Sequence, residues 1–175
     1  MTAAAAPALF AALSRARVVA AARALEQEMA RLRSEAITGG ASVAMRLTWS
    51  SGRYLYAFYR DGDGDGVRAD DIAAGRDILL DGPRDLASRY EGVDFGLLDV
   101  ALPEVPPGTG VLGPLADPVR FGRSDTVTFT PRGTSSGGTL YVSDGRSAVV
   151  AVVLYGPTGR IRICRFDRDT WIWRC

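Results

Sequence analysis

The first 40 residues of this chain follow a different pattern from the rest, and this difference restricts the folds open to it. Up to residue 37, apolar side chains recur every three to five positions, the spacing of one face of an α-helix. Gly39 and Gly40 end the pattern, because glycine adopts the left-handed turn that closes a helix. After them, short apolar runs alternate with turn residues, which is typical of strands. We therefore predict a helix over residues 1–40 and an antiparallel β domain over residues 41–175, an α+β fold.

The predicted helix changes character along its length. Residues 2–13 carry no charge, whereas residues 14–35 carry charges that fall mostly off the apolar stripe. The uncharged start is too short to span a bilayer, and no basic segment precedes it as in a signal peptide. We expect the stripe to bury on the sheet from about Leu25 onward. Its members are Leu9, Leu13, Ala16, Ala20, Leu25, Met29, Leu32 and Ala36.

The β part divides into a hairpin, a proline-rich stretch and a late run of strands. Residues 42–49 and 53–60 are predicted to pair through the turn between them. Short strands are predicted at residues 77–80 and 93–98. Residues 99–118 contain five prolines and are predicted to be a long surface loop. An antiparallel meander is predicted from five segments at hairpin spacing, residues 126–130, 139–143, 148–155, 160–166 and 171–174.

Two absences from the composition exclude several kinds of enzyme. The chain has no histidine, and all 21 of its basic residues are arginine. Catalytic triads, histidine zinc sites, P-loops and Schiff-base chemistry are therefore excluded. Residues 133–138 superficially resemble a phosphate loop, but we predict a flexible hairpin connection there. We predict a protein that is not an enzyme and has no cofactor, with calcium the one ion to consider.

One loop contains three aspartates that alternate with glycines, namely Asp61, Asp63 and Asp65. This matches the first half of a calcium-binding loop, in which alternate carboxylates point at one cation. The glutamate expected at the twelfth position is replaced by Ile72. We consider two alternatives, a calcium site and an Asp/Gly turn neutralised by Arg60 and Arg68.

The C-terminal segment combines arginines, cysteines and tryptophans. Arg160 and Arg162 point to the same side of a predicted strand, where they form a short basic strip. The alternative is a solvated strand face, or ion pairs with Asp144 and Asp167.

The two cysteines, Cys164 and Cys175, are predicted to form a disulfide in an oxidising compartment, the alternative being one buried and one terminal thiol. Trp171 and Trp173 share a face of the last predicted strand, either in the core or as a partner surface.

Several segments together resemble the GspH/FimT pseudopilins. The junction from Arg33 to Val43 resembles the passage from helix to first strand in that family, and Trp49, Gly52 and the loop of residues 61–66 are similar too. Later, residues 129–134 and 159–162 resemble the second signature of the family. These pieces cover most of residues 8–163 in the expected order.

The resemblance implies a pilin-like fold and a minor pseudopilin or minor pilin, held in the inner membrane by a single span with its β domain in the periplasm. Family members begin with a cleavable leader and a hydrophobic helix, so we expect Met1 to begin a soluble truncation. The helix would pack against other pseudopilins of the fibre through Leu9, Leu13, Ala16, Ala20 and Leu25. The alternative function is a DNA-binding minor pilin, with phosphate contacts from Arg160, Arg162 and Arg165. The net charge of +1 disfavours DNA as a partner.

Overall fold

The protein consists of one long helix packed on two antiparallel sheets. The structure is a computed structural model that describes residues 5–113, 116–122 and 124–175, with the side chains of the long helix described from Leu9 onward. The predicted helical residues 2–4 lie outside these ranges.

The described residues form helices and strands with the following bounds: α1 Ala5–Gly39, α2 Ala69–Ala74, α3 Leu86–Arg89, β1 Val43–Ser50, β2 Arg53–Arg60, β3 Ile78–Asp85, β4 Asp94–Phe95, β5 Leu102–Pro103, β6 Val111–Leu112, β7 Val119–Arg120, β8 Thr126–Phe129, β9 Gly138–Ser143, β10 Val149–Tyr155, β11 Arg160–Asp167 and β12 Ile172–Arg174.

The first sheet has the strand order β3-β2-β1-β8. Its central pair, β1 and β2, forms the predicted hairpin. The turn residues Ser51 and Gly52 have φ values of 51° and 84°, as a two-residue turn with two left-handed positions requires. The strand predicted at residues 77–80 continues to Asp85, with a break in its register opposite Ala57.

The second sheet has the strand order β12-β11-β10-β9-β4, and β7 also pairs with β9. The predicted meander is correct for β9 to β12 and wrong for β8, which pairs with β1 in the other sheet. Val127 and Phe129 of β8 are fully buried there. Residues 133–138 first fold back on β8, where Phe129 and Ser135 form an antiparallel bridge, and then lead into β9 of the other sheet. The predicted turn back is therefore present, but it connects two sheets and does not join two neighbouring strands of one sheet.

The stretch predicted as a surface loop at residues 99–118 is partly core. Leu102 and Leu112, which belong to the paired strands β5 and β6, are 1% and 3% exposed. They pack with Tyr141 and Trp173 on the side of the second sheet that faces away from α1. That side of the sheet is apolar and α1 covers only the other, so this segment is needed to cover it. Pro114 lies outside the described residues.

Helix α1 and both sheets share one hydrophobic core. Burial on α1 begins at Val18, about two turns before the predicted point at Leu25. Ala16 and Ala20 of the predicted stripe are exposed, while Ala21 and Ala22 are buried. The seven buried positions are Val18, Ala21, Ala22, Leu25, Met29, Leu32 and Ala36. Within the described residues, no helix combines the length and the apolar character needed to cross a membrane.

Candidate functional site

The first described turns of α1 carry exposed apolar side chains. Leu9 and Phe10 are each 70% exposed and Leu13 is 47% exposed, whereas Leu25 is only 1% exposed. Of the residues predicted for fibre packing, Leu9, Leu13, Ala16 and Ala20 are thus accessible to another molecule. Leu25 is not accessible, because it packs in the core of its own chain.

Polar contacts hold this end of α1 on the second sheet. The Ser14 hydroxyl donates to Asp144 at 2.6 Å, and Arg17 pairs with Glu91 at 3.2 Å. Burial alone would raise the pKa of Asp144, but hydrogen bonds from the Ala148 backbone, from Ser14 and from Ser147 outweigh it and hold that pKa well below its usual range. Asp144 was predicted as a partner for arginine, and serves instead as an acceptor for Ser14 and for the turn after β9.

Three of the segments that carry the family resemblance, residues 33–43, 129–134 and 159–162, meet at the other end of α1. Arg33 donates from Nε to the carbonyl oxygen of Gly133 at 3.0 Å. A Cβ atom on Gly159 would lie 2.6 Å from that oxygen and 2.7 Å from Arg33 Nε. Glycine is therefore the residue that fits position 159. These segments form a structural joint between helix and sheets.

The arginines predicted to contact DNA do not lie on one surface. Arg160 and Arg162 share the face of β11 that points away from α1, and line an open cavity of about 500 Å³ together with Tyr155. Arg162 also donates to the carbonyl oxygen of Pro106 at 2.5 Å. Arg165, an odd number of residues from both, points to the opposite face, toward α1. The prediction that the three act together is wrong.

Arg165 instead belongs to a second group of arginines beside α1. A groove of about 680 Å³ lies between α1, α3 and β11, and its floor includes exposed alanines of the helix. We call it the basic groove, after Arg15, Arg23, Arg89 and Arg165, which line it. All four side chains are exposed, and none forms an ion pair with an acidic residue in the part of the chain that the structure describes.

The three aspartates of the predicted calcium loop lie close together, with carboxylate oxygens within 4.8 Å of one another. Asp61 is buried, and its carboxylate accepts hydrogen bonds from the backbone N–H groups of Asp63, Gly64 and Gly66. Asp65 pairs with Arg68 at 2.5 Å, as predicted. The second arginine is Arg76, which contacts Asp63 at 3.5 Å, whereas Arg60 had been predicted.

Calcium binding by this loop stays a prediction. The carboxylates converge as a hard cation would require, but arginines already contact two of them. Thermal melting with and without calcium tests the site, since a ligand of the folded state raises the midpoint with concentration. An unchanged midpoint at millimolar calcium would leave the segment an Asp/Gly turn.

The C-terminal cysteines and tryptophans stabilise the edge of the second sheet. Cys164 and Cys175 form the predicted disulfide, which ties the end of the chain to β11. Trp173 is buried and donates from its indole nitrogen to the carbonyl oxygen of Pro103 at 2.7 Å. Trp171 precedes β12 with a φ of 57° and is 45% exposed, so the two rings do not form one strand face.

Comparison with known protein families agrees with this architecture. A family model described as type II transport protein GspH matches residues 21–159. The chain belongs to the GspH family. Comparisons with curated proteins and with solved structures gave no significant match.

Membership of the GspH family makes the chain a pseudopilin of type II secretion or a related pilus at the family level. The match begins within α1 and ends at Gly159, so it includes the joint formed by Arg33, Gly133 and Gly159. The long helix packed on antiparallel sheets confirms the predicted pilin-like fold.

The main surface that sequence reasoning missed on this pseudopilin is the basic groove. Arg15 and Arg23 are eight residues apart in the helix and were read only as charges off the apolar stripe. Arg89, at the end of α3, and Arg165, in β11, are far from these residues in the sequence, and only the folded chain brings them beside α1. One signal was available in the sequence, because the odd spacing of Arg165 from Arg160 places it on the opposite strand face.

Proposed function

We propose that this chain is a minor structural subunit of a type II secretion pseudopilus or a related type IV pilus, and that it acts by assembling with other pseudopilins. Its family supports an inner-membrane subunit with a periplasmic β domain. The absence of histidine and lysine supports a mechanical role over an enzymatic one, because the common nucleophile, zinc and Schiff-base chemistries need them.

The observation that carries this proposal is the apolar end of α1. Leu9, Phe10 and Leu13 are large apolar side chains that lie close together on the helix and remain largely exposed, whereas Val18, Leu25, Met29 and Leu32 further along it are buried. Contiguous exposed apolar surface is typical of an interaction site. In an assembled fibre, neighbouring helices would cover these side chains by close packing.

A secretion assay in a bacterium that depends on this subunit tests the proposal. Replacing Leu9 and Leu13 with arginine in the subunit as the cell makes it should abolish secretion, because charged side chains cannot pack between apolar helices. Folding should be unchanged, since both side chains are exposed.

The matched control replaces Ile78 and Leu79 with arginine. These residues are 46% and 51% exposed on β3, at the edge of the first sheet. Secretion should persist in this variant. Normal secretion with the Leu9 and Leu13 substitutions, or equal loss in the control, would contradict the proposed role of the helix.

DNA binding stays a prediction, now limited to Arg160 and Arg162. Titration with duplex DNA at increasing salt tests it, since phosphate contacts weaken steeply with salt. Replacement of both arginines by alanine should reduce such binding, and the absence of salt-dependent binding would exclude this alternative.

A further inference from the structure

The basic groove lies on the side of α1 that also carries the exposed apolar residues. One row of side chains, at steps of four and three residues along the helix, contains Leu9, Leu13, Ala16, Ala20 and Arg23. The two leucines of this row are exposed, and its last three members line the groove. We propose that the basic groove binds the phosphate head groups of anionic phospholipids. This lipid contact rests on the inner-membrane role proposed above and gives that role a specific surface.

The side chains that line the groove carry positive charge alone. Arg15 and Arg23 come from α1, Arg89 from α3 and Arg165 from β11, and no acidic residue of the described structure lines the groove with them. Each guanidinium group presents a planar fork of N–H donors, which fits the oxygen atoms of a phosphate group. Because three elements supply the arginines, the fold itself gathers the donors on one surface.

The acidic residues around the groove do not neutralise it. Two cavities adjoin the groove, and Asp167, Asp169 and Glu26 are among the residues that line them. Asp167 is already engaged with Arg174 at 2.8 Å. Asp169 and Glu26 form no ion pair among the described residues. Four arginines therefore face two free carboxylates, and the surface stays positive.

Distances along α1 place the groove at the level of the head groups when the apolar end lies among the acyl chains. At 1.5 Å per residue, Arg15 lies about 3 Å beyond Leu13 and Arg23 about 15 Å beyond it. Helical side chains tilt toward the N-terminal end of their helix, so both arginines extend back toward Leu13. Long arginine side chains keep their stems on apolar surface while the charge reaches the head groups.

The polarity of the molecule favours an anionic bilayer over a soluble anion. Residues 1–25 contain three arginines and no acidic residue, although the net charge of the chain is only +1. The aspartate loop lies past the other end of α1, since the backbone N–H of Asp61 donates to the carbonyl oxygen of Ser42. That end, at Gly39, is about 40 Å from Leu13, which is several Debye lengths at physiological salt. A bilayer offers apolar chains to the leucines and phosphates to the arginines, whereas a soluble anion offers only the second.

Co-sedimentation of the purified full chain with vesicles tests this contact. The protein should bind vesicles of phosphatidylcholine that contain phosphatidylglycerol, and much less to vesicles of phosphatidylcholine alone. Binding should fall at about 0.5 M salt, because salt screens the attraction between exposed charges. The variant Arg15→Gln/Arg165→Gln should weaken binding to the anionic vesicles by about tenfold or more, since each arginine near an anionic surface contributes several-fold. Its folding should be unchanged, because both side chains are exposed.

The matched control is Arg60→Gln/Arg132→Gln. It removes the same charge from two exposed positions near the other end of α1, where Arg60 pairs with Val43 and Arg132 precedes the partner of Arg33. This variant should bind the anionic vesicles as wild type does. Equal binding of wild type to both kinds of vesicle, no loss in the groove variant, or an equal loss in the control would each overturn the proposal.

Two further measurements separate lipid from other anions. A rise of the melting midpoint with millimolar inorganic phosphate, lost in the groove variant of a chain that does not bind anionic vesicles, would show a site for the free ion and overturn the proposal. Retention of duplex DNA through the same arginines without vesicle binding would overturn it as well. Absent vesicle binding together with lost secretion in the Leu9 and Leu13 variant would overturn the lipid contact and leave the proposed function standing.

Discussion

Gly159 is the clearest case in which one atom decides which residue fits. Its φ is 62°, and a Cβ atom there would collide with the Gly133 carbonyl oxygen and with Arg33. We predict that Gly159→Ala lowers the free energy of unfolding by about 2–4 kcal/mol, from the left-handed backbone plus the collision. Urea denaturation measures this loss.

The matched control is Gly145→Ala. Gly145 has a similar φ of 69°, but a Cβ atom there meets nothing within 4 Å. Its replacement should lower the free energy of unfolding by about 1–2 kcal/mol, the cost of placing alanine in a left-handed backbone conformation without a collision. Equal losses at the two positions would mean that the neighbouring atoms of Arg33 and Gly133 accommodate the added Cβ atom without cost.

The Asp144 carboxylate gives stability a defined dependence on pH. Its folded-state pKa lies below the unfolded value of about 3.9, so its contribution is complete above that pH and is lost as the pH falls through the folded pKa. We predict that wild type loses more stability than Asp144→Asn between neutral pH and about pH 3. Denaturation with urea at a series of pH values measures the difference.

Asp125 provides a comparison of opposite sign. Burial, together with the nearby Asp117 carboxylate, raises the pKa of Asp125 despite Arg46. Its ionisation therefore costs stability at neutral pH, and this cost disappears as the pH falls. The difference in the free energy of unfolding between wild type and Asp125→Asn should therefore change with pH in the opposite direction to the difference measured for Asp144→Asn. Two differences that change in the same direction would contradict the pKa shifts assigned to these aspartates.

Helix α1 divides into a buried part and an exposed part, and this predicts unequal mutational costs. Leu25→Ala should lower the free energy of unfolding by about 2–5 kcal/mol, because it leaves a cavity in the shared core. Leu13→Ala should change it by less than about 0.5 kcal/mol, because that side chain is already exposed. Thermal denaturation of the two variants checks the division, and similar costs would contradict the burial described for the helix.

The same elements show how much of the fold could be predicted. α1 and the β1–β2 hairpin were predictable because their signals are local, an apolar period and a turn closed by Gly52. The sheet that β8 joins was not, since that depends on a partner strand far away in the chain. The start of burial on α1 was also misplaced, because alanines occur on several faces of the helix and give little contrast.

The candidate sites follow the same rule. The disulfide was predictable because the chain has two cysteines. Arg68 could be assigned to the aspartate loop from its place in the sequence, three residues after its partner. The contact of Ser14 with Asp144 and the approach of Arg165 to α1 join residues that only the folded chain brings together.

Because one core joins α1 to both sheets, the chain should unfold as a single cooperative unit. Circular dichroism, which follows the helix, and tryptophan fluorescence, which follows the sheets, should give coincident denaturation curves. A chain beginning at residue 41 should fail to fold, since it lacks the seven buried side chains of α1. A stable β domain without the helix would show that residues 41–175 form an independent unit.

The polar contacts of Ser14 and Arg33, which lie toward opposite ends of α1, also affect how the subunit would carry a mechanical load. Ser14 and Arg33 attach the helix to separate loops about 30 Å apart along its axis. A pull along that axis would strain both contacts together and slide the buried side chains past two sheets at once, in shear. Peeling the helix away from the sheets would break the same contacts one after another. The protein should therefore resist tension along α1 better than tension across it.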